Sequence, residues 1–187
     1  MPRIITGTAR GIHLETNQHE LMRPTTDRLK EAVFSSLQGK IESGKLNSFL
    51  DLFSGCGQIG LEAKSRGVEN VVLVEQNRQA VNTIKKNISK TGLNVRLLPY
   101  STKRALRKLS NEDQQFDIIY FDPPWQELIE LWWEEEFNIY DVLHGNGLVM
   151  IEHAKKIVPA INPQLWSVVK HKNYGQNTLL VLEQKGV

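Results

Sequence analysis

Asp51-Leu52-Phe53-Ser54-Gly55-Cys56-Gly57 joins an acidic residue to a glycine-rich turn at the end of an apolar run. In an open parallel sheet such a loop lies at the carboxyl edge, where ligands bind. Glycines let the backbone turn sharply and approach a ligand with no Cβ in the way. Residues 55–60 also match the G-x-G-x-x-G pattern of dinucleotide enzymes, so the glycines alone admit two cofactor classes. Asp51 shifts the balance. A carboxylate ahead of the glycines suits a cationic ligand and repels a pyrophosphate. S-adenosylmethionine carries an ammonium and a sulfonium, whereas NAD carries two phosphates. Glu75 ends the next apolar run, where a carboxylate accepts ribose hydroxyls of either cofactor. Phe53, Ser54, Gly55 and Gly57, with Asp51, Glu75 and Gln76, are therefore the expected S-adenosylmethionine site. Tyr100 and Ser101 follow the third apolar run and are the expected neighbours of the adenine.

The second motif is Asp122-Pro123-Pro124-Trp125, which follows directly on Phe116-Asp117-Ile118-Ile119-Tyr120-Phe121. That strand ends on the same sheet edge as the glycine loop. An exocyclic base amine is a poor nucleophile because its lone pair is delocalised into the ring. It must be held so that the lone pair faces the methyl group. The Asp122 carboxylate and the Pro123 carbonyl offer two acceptors for the two amine protons. Pro123 and Pro124 fix φ and remove competing donors, so the acceptors are preorganised. Trp125 offers a face on which an extruded base can stack. The four residues are the candidate catalytic group, and the motif leaves guanine and adenine equally open.

Cys56 is the one cysteine, which excludes a disulfide framework and a cysteine zinc site and fits a reducing cytoplasm. Inside the loop it reads as a small residue. The five histidines show no metal spacing, and no metal is expected. No apolar run reaches the ~20 residues that span a bilayer. The net charge of +2 over 187 residues does not by itself mark a nucleic-acid binder.

The elements that must position these motifs are legible as alternation. Strands are expected at residues 48–53, 70–75, 95–99, 116–121 and 148–152, and helices at 58–65, 78–90, 102–109 and 128–143. Short apolar strands alternating with helices predict a parallel sheet covered on both faces. Residues 166–171 and 178–183 flank a turn at Tyr174-Gly175-Gln176-Asn177 and predict a hairpin at the sheet edge. Residues 3–15 predict two short strands around Gly7 and Gly11. A helix should follow, capped by Thr25 or Thr26 and ended by Gly39. Residues 39–47 read as a linker. The expected division is an N-terminal hairpin-and-helix extension at 1–46 and a methyltransferase domain at 47–187.

With both motifs placed, the chain resembles the bacterial 16S ribosomal RNA guanine-N2 methyltransferases of the RsmD type. The likeness runs through Arg3-Ile4-Ile5 and Gly7, Arg10-Gly11 and Arg23-Pro24-Thr25-Thr26-Asp27-Arg28 with Glu31 and Phe34. It continues through the Asp51 loop, Gly60-Leu61-Glu62-Ala63, Ser65-Arg66-Gly67, Glu75 and the Asp122 motif. The glycine loop and Asp-Pro-Pro occur in many methyltransferases; the Arg23–Arg28 segment is more specific. The resemblance implies a Rossmann-like class I methyltransferase with a mostly parallel seven-stranded sheet and a small N-terminal hairpin and helix. It implies a cytoplasmic monomer acting on a guanine N2 amine of 16S rRNA within an assembling 30S particle. Arg3, Arg10, Arg23 and Arg28 would contact RNA phosphates. Trp125 stands where the family more often has Phe or Tyr, and Ser101 replaces an expected acid. Three other readings compete: an N6-adenine DNA methyltransferase, a non-catalytic RNA-binding assembly factor on this fold, and a nicotinamide oxidoreductase.

Overall fold

The computed structural model describes residues 2–16, 27–123 and 139–185. Seven strands form one sheet: β1 (Ser48–Leu52), β2 (Asn70–Val74), β3 (Arg96–Leu98), β4 (Phe116–Phe121), β5 (Leu143–Ala154), β6 (Trp166–Tyr174) and β7 (Asn177–Gln184). Their order is β3-β2-β1-β4-β5-β7-β6. The first five run parallel and β7 is antiparallel to both β5 and β6, so the C-terminal hairpin closes the sheet with β6 as its edge. The order reverses between β1 and β4, and ligands in such sheets sit at that switch point. Both motifs begin there, since Leu52 pairs with Phe121 and the chain leaves each strand at the same edge.

The helices among the described residues are α1 (Asp27–Glu42), α2 (Gln58–Ser65), α3 (Arg78–Thr91), α4 (Thr102–Asn111) and α5 (Ile139–Val142). The helix α3 shows local sequence dictating structure. The Asn77 side chain caps its first turn by accepting from the Gln79 and Ala80 amides, and Gly92 ends it at φ 66. Ala80, Val81 and Ile84 face the sheet from that helix. Two apolar clusters cover the two sheet faces. One gathers Phe49, Leu73, Tyr120 and Met150 with Leu29, Phe34, Ile4 and Leu14 from the N-terminal part. The other gathers Leu50, Val72, Ile119 and Ile151 with Leu106 and Leu109 of α4.

Several expected boundaries move. The helix α1 does not stop at Gly39 but runs on to Glu42, because Ile41 still packs against the core and the turn comes at Gly44, φ 67. Strand β5 starts at Leu143 rather than Leu148, with a register shift opposite Phe116. Of the helix expected at 128–143, residues 139–142 are helical as α5; residues 128–138, like Thr25 and Thr26, lie outside the described residues. No described helix is long and apolar enough to cross a membrane.

The N-terminal pair of strands reduces to a single bridge, Arg3 to His13. The reason is competition for backbone donors. The Ile5 and Thr6 amides donate to the two oxygens of buried Glu62, at 2.7 and 3.0 Å, and the Ala9 amide donates to Ser65 Oγ at 3.0 Å. Ser65 Oγ in turn donates to the Thr6 carbonyl at 2.6 Å, and the Thr8 amide donates to the Ser65 carbonyl at 2.9 Å. The segment is thus bound to the end of α2 as well as to itself, where the Ile4 amide donates to the Ile12 carbonyl, the Gly11 amide to the Ile4 carbonyl and the Leu14 amide to the Pro2 carbonyl. Gly7 makes that approach possible: at φ +88, a Cβ there would lie 1.7 Å from the Ser65 carbonyl oxygen. Gly11 has a similar φ, +86, with open space around it. Gly11→Ala is expected to cost about 1 kcal/mol of backbone strain, and Gly7→Ala roughly 3 kcal/mol or more, since it adds a backbone collision. Urea denaturation of the two variants checks the difference; equal losses would mean that the docking contact is loose.

Candidate active site

The loop after β1 is shaped by left-handed backbone. Phe53 has φ 61, Gly55 φ 56 and Gly57 φ 81. For phenylalanine that conformation is uncommon and strained, and such strain concentrates at functional loops. The Phe53 ring meets Phe121 edge-on at 5.3 Å, which joins this loop to the end of β4. Ser54 Oγ donates to the Asp51 carbonyl at 2.7 Å and accepts from the Val74 amide at 3.0 Å, tying the turn to β2.

Asp51 is 2% exposed, and its Oδ2 accepts from the Gly60 amide at 2.9 Å. The helix α2 has no side-chain cap at Gly57, so this carboxylate neutralises its positive end. Burial pushes the Asp51 carboxyl up to about 7, the Gly60 and Ser54 hydrogen bonds opposing it and the Glu75 charge adding to it. Glu75, just past β2, accepts from the Gly55 amide at 3.0 Å and from the Asn77 amide at 2.8 Å. Each of its oxygens keeps a lone pair for a further donor.

Tyr100 is half-buried with the Arg104 guanidinium 4.2 Å above its ring, and Ser101 spends its hydroxyl on the Arg104 amide as the cap of α4. Asp122 is half-buried and Pro123 buried, directly beyond β4; Pro124 and Trp125 lie outside the described residues. Gln76 is exposed beside Glu75. Arg3 pairs with Asp27 at 3.6 Å, Arg10 and Arg28 are exposed, and Arg23 is outside the described residues.

These donors answer the cofactor question. A pyrophosphate needs free amides and a positive helix end. Here the Gly55 amide is taken by Glu75, and the Gly60 amide by Asp51. Two carboxylates converge under the loop, which fits a cationic nucleoside with ribose hydroxyls to donate.

A family model described as conserved hypothetical protein 95 matches residues 2–183. The ribosomal RNA small subunit methyltransferase D of Haemophilus influenzae is 32% identical over 180 residues, covering 92% of this chain and 89% of that one. The chain belongs to the RsmD methyltransferase family. A hypothetical protein of Thermus thermophilus has a similar structure, with a TM-score of 0.83 and 29% identity over 98% of this chain and 99% of that one. A SAM-dependent methyltransferase from Agrobacterium tumefaciens shares the fold, with a TM-score of 0.59 at 14% identity over 83% of this chain and 62% of that one. The RsmD-family protein is an S-adenosylmethionine-dependent methyltransferase, and the mostly parallel seven-stranded sheet is the one its sequence predicts.

Two groups of residues in this RsmD-family chain escaped sequence reasoning. Asn87 of α3 is fully buried and joins three parts: its Nδ2 donates to the Glu15 and Cys56 carbonyls at 3.0 and 2.9 Å, and its Oδ1 accepts from the Glu15 amide at 2.8 Å. Beside Asp122, the Tyr120 hydroxyl donates to Glu152 Oε2 at 2.6 Å, and Asn177 Nδ2 donates to Glu152 Oε1. Burial and the charges of Glu152, Asp122 and Asp51 hold the Tyr120 phenol protonated, well above its usual range. A tyrosine near the end of a mostly apolar strand and a glutamate closing an apolar run were the available signals.

Proposed function

We propose that the protein methylates the exocyclic N2 amine of a guanine in small-subunit ribosomal RNA. The observation that carries this reading is the placement of Asp122 and Pro123 beyond β4, beside the Phe53 loop and next to the β1–β4 switch point. S-adenosylmethionine supplies an electrophilic methyl group on a sulfonium. Asp51, Phe53, Ser54, Gly55, Gly57, Glu75 and Gln76 hold it, with Tyr100 and Ser101 near the adenine. Glu75 takes the ribose hydroxyls, and the Asp51 charge offsets the cationic end. The Asp122 carboxylate and the Pro123 carbonyl accept hydrogen bonds from the two amine N–H groups and aim the lone pair. One C–N bond forms and one C–S bond breaks. The nitrogen becomes acidic only as its new bond forms, and Asp122 then accepts the proton it loses. Pro124 and Trp125 complete the base pocket in this reading. The extension 1–46 supplies Arg3, Arg10, Arg23 and Arg28 to the RNA, and residues 47–187 carry the chemistry. The target is met in an assembling 30S particle in the cytoplasm, by a single copy of the chain.

The names of the curated relatives support ribosomal RNA as substrate. The test is transfer of labelled methyl to immature 30S particles and to duplex DNA, with mass mapping of the modified nucleotide. N2-methylguanine in small-subunit RNA is expected. Transfer to adenine in DNA, or to neither, would overturn the reading.

A further inference from the structure

The charge of the chain is sorted along its length. Residues 76–111 hold nine Lys and Arg and no Asp or Glu. The whole chain has 23 basic and 21 acidic residues, so everything outside that stretch has 14 against 21 and a net charge of −7. Residues 109–154 show the reverse, with eleven acids and no Lys or Arg. The basic stretch is α3, β3 and α4. Strand β3 is the sheet edge, paired on one side to β2, and the two helices cover opposite faces next to it. Arg78, Lys85, Lys86, Lys90, Lys103, Arg104 and Arg107 are all exposed there.

Several of these cations have local tasks. Arg96 and Lys108 are held by Glu112, Lys86 lies 3.3 Å from Glu15, and Arg104 covers Tyr100. Arg78, Lys85, Lys90 and Arg107 present their charge to solvent and call for another source of negative charge. Of the six described acids of the opposite stretch, Glu112, Asp113 and Asp117 lie toward the amino edge of the sheet, where Asp117 accepts from the Asn47 and Ser48 amides, Glu152 is buried, and Asp122 follows β4 at the carboxyl edge. The N-terminal extension is nearly balanced by comparison. Residues 1–46 hold seven basic residues against five acids; Lys30 is buried and Arg3 is paired.

We propose that the β3 edge with α3 and α4 is a second RNA-contacting surface, which binds the phosphate backbone on the flank of the cofactor edge. This rests on the RNA substrate of the proposed function and extends it. Backbone contact is sequence-independent and positions the RNA, while the Asp122 pocket selects the base. The glutamate that joins the N-terminal segment to α3, Glu15 beside Lys86 and Asn87, makes the two RNA surfaces adjacent.

The test uses the full chain with Lys85→Gln, Lys90→Gln and Arg107→Gln combined, against a control of equal charge change, Lys40→Gln, Lys45→Gln and Lys172→Gln. All six side chains are exposed, and Lys172 is on the opposite edge strand. Binding to a small-subunit RNA fragment is measured across a salt series, together with methyl transfer to immature 30S particles. The edge triple is expected to weaken RNA binding about tenfold and to flatten the salt dependence by roughly 0.7–0.9 in log–log slope for each phosphate that is no longer neutralised. KM should rise with kcat kept, and the control should change less than twofold. Equal losses in both triples, or none in the edge triple, would overturn the proposal. So would sedimentation showing that the edge instead binds the acidic stretch of a second copy, with RNA binding unchanged. If the wild type binds RNA through this edge but methylates none, the proposed function fails while the surface stands.

Discussion

Asp122→Asn is expected to lower the rate of methyl transfer about a thousandfold while leaving S-adenosylmethionine affinity unchanged. The side chain sits one residue past Phe121, whose partner Leu52 leads into the cofactor loop. It is half-buried, so its charge acts in a poorly screened space. Below it, the protonated Tyr120 hydroxyl donates a hydrogen bond to Glu152. That arrangement leaves the acceptor role at this edge to Asp122 and the adjacent carbonyl. Asparagine keeps the shape but replaces one acceptor oxygen with a donor, which faces the amine protons and carries no charge to offset the developing cation. Calorimetry gives the affinity and single-turnover transfer gives the rate. A rate within tenfold of wild type would remove Asp122 from the chemistry.

Asp51→Asn should separate stability from ligand binding. The wild-type carboxyl is raised from 3.8 to about 7, chiefly by burial. The folded chain therefore holds a proton that the unfolded chain has released, and wild-type stability falls as pH rises from about 4 to about 7. The loss then stays constant and is on the order of 4 kcal/mol. Asparagine carries no such penalty and can still accept from Gly60. Without ligand, the variant should melt higher than wild type at pH 8, with the gap closing toward pH 4. The ligand cation favours the ionised carboxylate, so wild-type affinity should improve with pH by up to about tenfold per unit and level off above about 7. The variant should bind about tenfold or more weakly and without that slope. A wild-type Kd that does not change between pH 5 and pH 8 would show that Asp51 braces α2 and has no part in binding.

The parallel half of the fold was readable because its signals are local. Strand β4 and helix α2 occur at the expected bounds, and α3 carries both its cap and its stop in sequence. The turn of the N-terminal segment was readable, since it pairs across itself, but its docking was not, because Glu62 and Ser65 lie more than fifty residues away. Nothing in a local pattern reports that distance. The same holds for the site. Asp51 and Glu75 were visible because each ends an apolar run before a turn. Glu152 also ends one, but its significance comes from Tyr120 and Asn177 across neighbouring strands. Gly39 signalled a helix stop that tertiary packing of Ile41 overrode.

The helix α2 acts as a spacer of fixed length. Its first turn is fastened to Asp51 under the cofactor loop, and its last turn to the N-terminal segment through Glu62 and Ser65. Eight residues span about 12 Å, with a rotation of about 100° per residue. One inserted residue would therefore swing the N-terminal arm around the helix axis as well as push it outward. The separation of that arm from the glycine loop is set by the pitch of one short helix, so the length of α2 can vary only in steps of about a whole turn.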